Sequence, residues 1–195
     1  MLLRGPHVFG GYHAGAAAAA DGGPGTDGWF ATGDLGRLDD DGYLTITGRK
    51  KDVLITSGGK NVSPGPLEDR LRAHPLIGQC MVVGDGRPYV GALVTLDTEA
   101  MHQTNGHVRS PGGNGTVVQV DSAIDVPEAV RAEIARAVAE ANRPVSRAES
   151  IRRVRIVAGD FTEDRGLLTP SLKLKRKAVI KAYSADIDAL YAAGT

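Results

Sequence analysis

The sequence predicts an α+β fold, with a small mixed sheet and about three helices, preceded by a short β-rich segment. Three observations carry this. The first third of the 195 residues is dense in glycine and turn residues. A charged break, Gly48-Arg49-Lys50-Lys51-Asp52, then interrupts the pattern. Beyond it, short apolar runs alternate with stretches of helical period.

The elements follow in chain order. Residues 14–28 are low-complexity, with five alanines from Ala16 to Ala20 and then a Gly/Pro run that reads as loop. Residues 35–38 and 43–47 flank Asp39-Asp40-Asp41-Gly42, the pattern of a hairpin. After the break, residues 53–56 form a short strand. Ser63 caps a helix with Pro64 in its first turn, and Leu67 and Leu71 share a face. That helix stops at His74-Pro75, because a residue before proline resists the helical region. Residues 79–83 and 89–96 read as a hairpin, and the polar, glycine-rich stretch 103–115 as a mobile loop. Residues 127–141 form a helix with Val130, Ile134 and Val138 on one side, residues 154–157 a strand, and residues 177–192 a last helix. The domains are expected at 1–48 and 53–195, with a hinge at 49–52.

Composition excludes several classes. Lys+Arg and Asp+Glu both number 23, so the chain lacks the net basic field of a nucleic-acid binder. The single cysteine, Cys80, excludes an internal disulfide and lies in an apolar run, where it reads as a buried thiol. The five histidines have no metal-ligand spacing. No apolar run approaches a membrane span and no secretory signal is visible, so a cytoplasmic protein is expected.

Four segments carry possible chemistry, each with a plain alternative. In Thr32-Gly33-Asp34-Leu35-Gly36, Asp34 can present both oxygens to a diol; taken alone it reads as a turn tying down its own backbone. Arg49 can hold ribose or phosphate oxygens, or belong to a solvated basic loop. Thr56-Ser57-Gly58-Gly59-Lys60-Asn61 is either a phosphate cradle or a tight turn, and lacks the Walker spacing. In Leu168-Thr169-Pro170-Ser171-Leu172-Lys173-Leu174-Lys175-Arg176-Lys177, an extended chain would put Lys173 and Lys175 on one face, with Leu172 and Leu174 anchoring the other. A nucleic-acid or anionic-lipid patch is the rival reading. The neutral charge and the lack of an aromatic residue for stacking count against it.

In this order the four segments resemble the C-terminal signature of the acyl-adenylate-forming superfamily, which includes acyl-CoA synthetases and nonribosomal-peptide adenylation domains. Arg4 to Tyr12 resembles the segment before the family's aspartate motif. The resemblance implies a remnant of the large N-terminal adenylation domain followed by the small C-terminal domain. It implies Asp34 and Arg49 on the ribose, Lys51 as the hinge pivot, and Gly58, Gly59 and Lys60 in the loop that meets CoA after domain rotation. Aligning the family's Lys-x-x-Arg onto Lys173-Leu174-Lys175-Arg176 makes Lys173 the catalytic lysine, with Lys175 the runner-up. The commonest pattern has glycine directly before that lysine, where this chain has Leu172. The version seen here is similar to that of long-chain fatty-acid–CoA ligases. Aryl- or medium-chain ligases and carrier-protein-linked adenylation domains remain alternatives.

The implied reaction uses ATP, CoA and Mg²⁺: a fatty carboxylate forms acyl-AMP, and CoA thiol then displaces AMP. The triphosphate loop, the acyl tunnel and a metal ligand are not found in this chain. The missing large domain is therefore its expected partner, and the isolated chain is expected to be inactive. Any membrane association is expected only through the substrate.

Overall fold

A computed structural model describes residues 1–11, 23–97, 99–100 and 118–192. Most of the alanine-rich stretch and the polar loop at 103–115 lie outside the described residues. The chain divides into two compact units, 1–53 and 54–195.

The first unit is built from two small antiparallel pairs. Strand β1 (Leu2–Leu3) pairs with β2 (Phe30–Ala31), and β3 (Asp34–Leu38) pairs with β4 (Leu44–Arg49). The β3–β4 turn is closed by Asp39, whose Oδ1 accepts from the backbone N–H of Tyr43 at 2.7 Å, and Gly42 takes φ +85°. A 3-10 turn, Lys50–Asp52, follows β4. Among the described residues, every buried hydrophobic side chain lies at Val62 or beyond. In the first unit Leu38, Tyr43, Leu44 and Ile46 are instead exposed. Among its described residues this unit has no buried apolar core, and isolated hairpins are marginal in water.

The second unit is a three-layer α/β domain. It contains β5 (Leu54–Ile55), β6 (Asn61–Val62), α1 (Pro64–Arg72), β7 (Ile77–Val83), β8 (Val90–Leu96), β9 (Gln119–Ser122), α2 (Glu128–Asn142), β10 (Ile151–Ile156), α3 (Arg176–Ala182) and α4 (Ser184–Ala192). The main sheet has the order β7-β8-β10-β9, with β7–β8 antiparallel and the other two pairings parallel. Alternation along the strands supplies two cores. Cys80, Val82, Val90, Ala92, Val94, Val154 and Ile156 face α1 and α2. Met81, Val83 and Leu93 face Val179, Tyr183 and Ile187 of the C-terminal helices, with Phe161 between.

Local chemistry sets the boundaries. Ser63 is the residue before α1 and Pro64 opens it, although the serine side chain makes no capping bond. Asn142 pins the end of α2 to the start of β10, its amide donating to the Ile151 carbonyl and accepting from the Ile151 N–H, both at 2.9 Å.

The single last helix expected from the sequence is two helices. They break at Tyr183, which leaves the helical region at φ −113°, ψ 28°. Its hydroxyl donates to the Ala158 carbonyl at 3.0 Å and accepts from Arg165 Nη1 at 2.9 Å, and its ring packs edge-on to Phe161. These contacts outweigh the helical pattern. Short strands at β1, β2, β6 and β9 add to the elements read from the sequence.

Gly91 sets the distance between sheet and helix. A Cβ there would stand 2.4 Å from Leu190 Cδ2 and 3.4 Å from both the Arg153 carbonyl and the Tyr191 hydroxyl. Leu190 is fully buried and has little room to yield. We expect Gly91→Ala to destabilise the chain by about 1–3 kcal/mol through overpacking. Urea unfolding measures this; an unchanged midpoint would show that α4 rides loosely on β8.

Candidate functional site

The β3–β4 hairpin brings two predicted site residues together. A register shift between Leu35 and Gly36 makes Asp34, rather than its neighbour, the partner of Arg49. Bulges of this kind re-aim side chains. Arg49 Nε lies 3.2 Å from Asp34 Oδ1, and the Asp34 N–H is held by Thr32 Oγ1 at 3.0 Å. The Arg49 side chain is 69% exposed, so the pair is a weak contributor to stability. Carboxylate and guanidinium side by side supply acceptors and donors, a set suited to vicinal hydroxyls. Lys51 lies in the 3-10 turn directly after this hairpin.

The glycine loop is a tight β5–β6 connection. The Thr56 N–H donates to the Lys60 carbonyl at 3.0 Å and the Gly59 N–H to the Thr56 carbonyl at 2.8 Å, while Gly59 takes φ +74°. Asp85 Oδ1 accepts from the Ile55 N–H, and the Ser57 N–H donates to the Arg87 carbonyl, both at 2.9 Å. The loop is thereby tied to the β7–β8 turn. Gly59 leaves open space where a side chain would stand, and a Cβ at Gly58 would meet only the Thr56 hydroxyl, at 3.9 Å. Lys60 Nζ lies 3.9 Å from Glu149. The Ser146 hydroxyl bonded to Glu149 holds its carboxyl below the usual range, with Lys60 a smaller contributor.

The lysine segment departs from the extended chain expected. Residues 169–173 form a tight hairpin loop closed by Thr169. Its N–H donates to the Lys173 carbonyl at 2.8 Å, and its carbonyl accepts from the Leu172 N–H at 2.8 Å. Its hydroxyl also accepts from the Lys173 N–H at 3.0 Å. Leu168 and Leu174 form the flanking bridge, and the Lys175 N–H donates to the Leu167 carbonyl at 2.9 Å. Three-residue hairpin loops of this kind place their last residue in the left-handed region. Here that residue is Leu172, with φ 58°, the only non-glycine with positive φ among the described residues. This is the physical reason for the glycine usual at that position. Leu172 is 70% exposed and anchors nothing, contrary to the sequence expectation, whereas Leu174 is half-buried against the second core. Lys173 and Lys175 are exposed on either side of Leu174 and have no ion-pair partner among the described residues.

Glu68 went unnoticed in the sequence, and Arg176 was read there only as the end of the Lys-x-x-Arg pattern. Glu68 is 5% exposed on the apolar face of α1, and Arg176 is the first residue of α3. Arg176 Nη2 donates to Glu68 Oε1 at 2.7 Å and to Oε2 at 2.5 Å, and Glu68 Oε1 also accepts from the Val82 N–H at 2.8 Å. The signal was available: a glutamate between Leu67 and Leu71 on a buried helical face requires a partner. Cys80 is buried as expected; burial pushes its thiol up to about 12 and leaves it unreactive at neutral pH. Among the described residues no group of three or more His, Cys, Asp or Glu is placed to hold a metal ion.

The family model for the AMP-binding enzyme C-terminal domain matches residues 51–112 and 113–195, which is most of the chain. The chain belongs to the AMP-binding enzyme C-terminal domain family. This AMP-binding C-terminal domain is 51% identical over 191 residues to a long-chain-fatty-acid–CoA ligase, FadD15, of Mycobacterium tuberculosis, covering 98% of this chain and 31% of the relative. It is 37% identical over 209 residues to a long-chain-fatty-acid–CoA ligase of Gallus gallus, ACSBG2, covering 98% of this chain and 27% of the relative. The chain thus spans about a third of the length of the curated relatives it matches. Among solved structures, the adenylation domain of a carboxylate reductase from Mycobacterium chelonae matches with TM-score 0.67 and 26% identity, covering 86% of this chain and 24% of that one. The adenylation domain of a carboxylic acid reductase from Segniliparus rugosus, solved with AMP and a co-purified carboxylic acid, matches with TM-score 0.67 and 25% identity, covering 88% and 24%.

The strain at Leu172 makes a prediction for this AMP-binding C-terminal domain. Leu172→Gly should raise its stability by up to about 1 kcal/mol, relief of the left-handed backbone outweighing the glycine's entropy. Chemical denaturation checks this. A loss of similar size would mean that the exposed leucine makes contacts the fold requires.

Proposed function

We propose that this chain is the C-terminal part of an ATP-dependent long-chain fatty-acid–CoA ligase that forms acyl-AMP and then acyl-CoA. The observation that carries this is the 51% identity, across nearly the whole chain, to a relative named for that activity. The geometry supports it. A carboxylate and a guanidinium are paired across one hairpin, and a rigid loop presents exposed lysines.

In this reading Asp34 and Arg49 hold the ribose, and Lys51 is the pivot of a hinge at 49–52 that divides a large-domain remnant, 1–48, from the small domain, 53–195. Gly58, Gly59 and Lys60 meet CoA. The exposed apolar side chains of the first hairpin support a larger N-terminal adenylation domain as the missing partner. ATP, CoA and fatty acid are the substrates and the cytoplasm is the compartment. Mg²⁺ serves the full-length enzyme. The residues described here do not form a site for it, so no step is assigned to the metal through this chain.

Lys173 is the catalytic lysine in this reading, supported by its place directly after the left-handed residue where the family has glycine. The first step brings the carboxylate and the α-phosphate of ATP together as two anions. An ammonium beside both lowers that barrier electrostatically. The second step needs the glycine loop instead, which a rotation about the hinge delivers.

In the full-length ligase, Lys173→Ala should slow adenylation by on the order of a hundred- to a thousand-fold, about 3–4 kcal/mol. Thioester formation from supplied acyl-AMP should be spared, and Lys175→Ala should be milder. The reverse pattern would move the catalytic role to Lys175. Lys51→Pro, which fixes φ and removes a donor, should depress thioester formation far more than adenylation. Equal losses in both half-reactions would place the pivot elsewhere.

A further inference from the structure

We propose that Glu68 and Arg176 are positioning residues that set the place of Lys173, an inference that rests on the reading of Lys173 as the catalytic lysine. The arginine of the Lys-x-x-Arg pattern is then no substrate ligand. Its Nη2 already straddles both Glu68 oxygens, at 2.7 and 2.5 Å, and its side chain is only 22% exposed.

The chain of fixed atoms is short. Glu68 is held on α1 and bonded to the β7 backbone at Val82. Arg176 begins α3, and only Leu174 and Lys175 separate it from Lys173. Leu174 is bridged to Leu168, and the Lys175 N–H is bonded to the Leu167 carbonyl. The loop carrying Lys173 is therefore clamped at its C-terminal side by the ion pair and closed on itself by Thr169.

Stability alone does not account for such a pair. Buried ion pairs are desolvated at a cost, and apolar residues of similar volume often serve as well or better. A guanidinium bonded to both oxygens of one carboxylate adds directional constraint. The loop needs that constraint, because Lys173 and Lys175 are exposed and, among the described residues, have no ion-pair partner to orient them. A misplacement of about 1 Å at a reacting group can cost up to a hundred-fold in rate.

Two measurements test this. In the 195-residue chain, Arg176→Lys should speed amide hydrogen exchange at Lys173 and Lys175 by about tenfold while leaving Val154 and Ile156 on β10 unchanged, as expected for a local opening. In the full-length ligase, Glu68→Gln, which keeps an acceptor for Val82, should lower kcat for acyl-AMP formation by about ten- to a hundred-fold. KM for ATP and the thioester step from supplied acyl-AMP should hold. The paired variant Glu68→Gln/Arg176→Met, where neither side chain is charged, should regain thermal stability without regaining adenylation. Recovery of adenylation along with stability would overturn the proposal, as would exchange that accelerates equally across the sheet. Faster exchange at the loop, in a full-length protein with no acid-dependent pyrophosphate release even as wild type, would leave the clamp standing and remove the ligase reading instead.

Discussion

The contact between Glu68 and Arg176 is a buried polar constraint on which the second unit depends. It joins three elements far apart in sequence: the buried face of α1, the backbone of β7 and the first residue of α3. A carboxylate that is 7% exposed is tolerable only because a guanidinium and a backbone N–H satisfy it. Removing either partner leaves a buried charge alone, a change of about 3–5 kcal/mol in comparable cases. That dependence runs one way along the chain. The two cores on either side of the sheet are apolar. The lysine loop is exposed and relies on hydrogen bonds at its base.

The molecule thereby separates what must be rigid from what must be accessible. Asp34 and Arg49 are set opposite each other by a strand register. Gly58 and Gly59 lie in a loop stapled to the β7–β8 turn by Asp85. Lys173 follows a residue in strained, left-handed backbone that the surrounding bonds over-determine. Each candidate group is presented by a paired strand or a short, hydrogen-bonded turn rather than a long loop. Such turns place side chains reproducibly without burying them.

Much of this was legible in the sequence. The runs 79–83 and 89–96 around the turn at 84–88 marked the β7–β8 hairpin, and the Leu67/Leu71 spacing with Pro64 marked α1. The four motifs in order pointed to the family the chain belongs to. What escaped has physical causes. Strands β1, β2, β6 and β9 are two to four residues long, and their pairing is decided by tertiary contact rather than pattern. The break at Tyr183 comes from hydroxyl bonds to Ala158 and Arg165, which no helical periodicity encodes. The bulge that sets Asp34 opposite Arg49 shifts register by one residue, below the resolution of a hairpin reading. The Thr169-Pro170-Ser171 stretch carried a turn signal, yet alternation of leucine and lysine after it favoured an extended strand. Leucine does not by itself mark a left-handed position; only the glycine usual there hinted at it.

The central claim is that this chain completes an enzyme joining a long-chain fatty acid to CoA through an acyl-adenylate. The most direct measurement is acid-dependent pyrophosphate release and CoA-ester formation by the full-length protein, across acids from short to long chain and aromatic. The account predicts release that requires the acid, rises with chain length and yields the CoA ester when CoA is supplied. Absence of release with every acid would contradict it. Acyl-AMP that forms but never passes to CoA would contradict the ligase assignment and point to a carrier protein as acceptor.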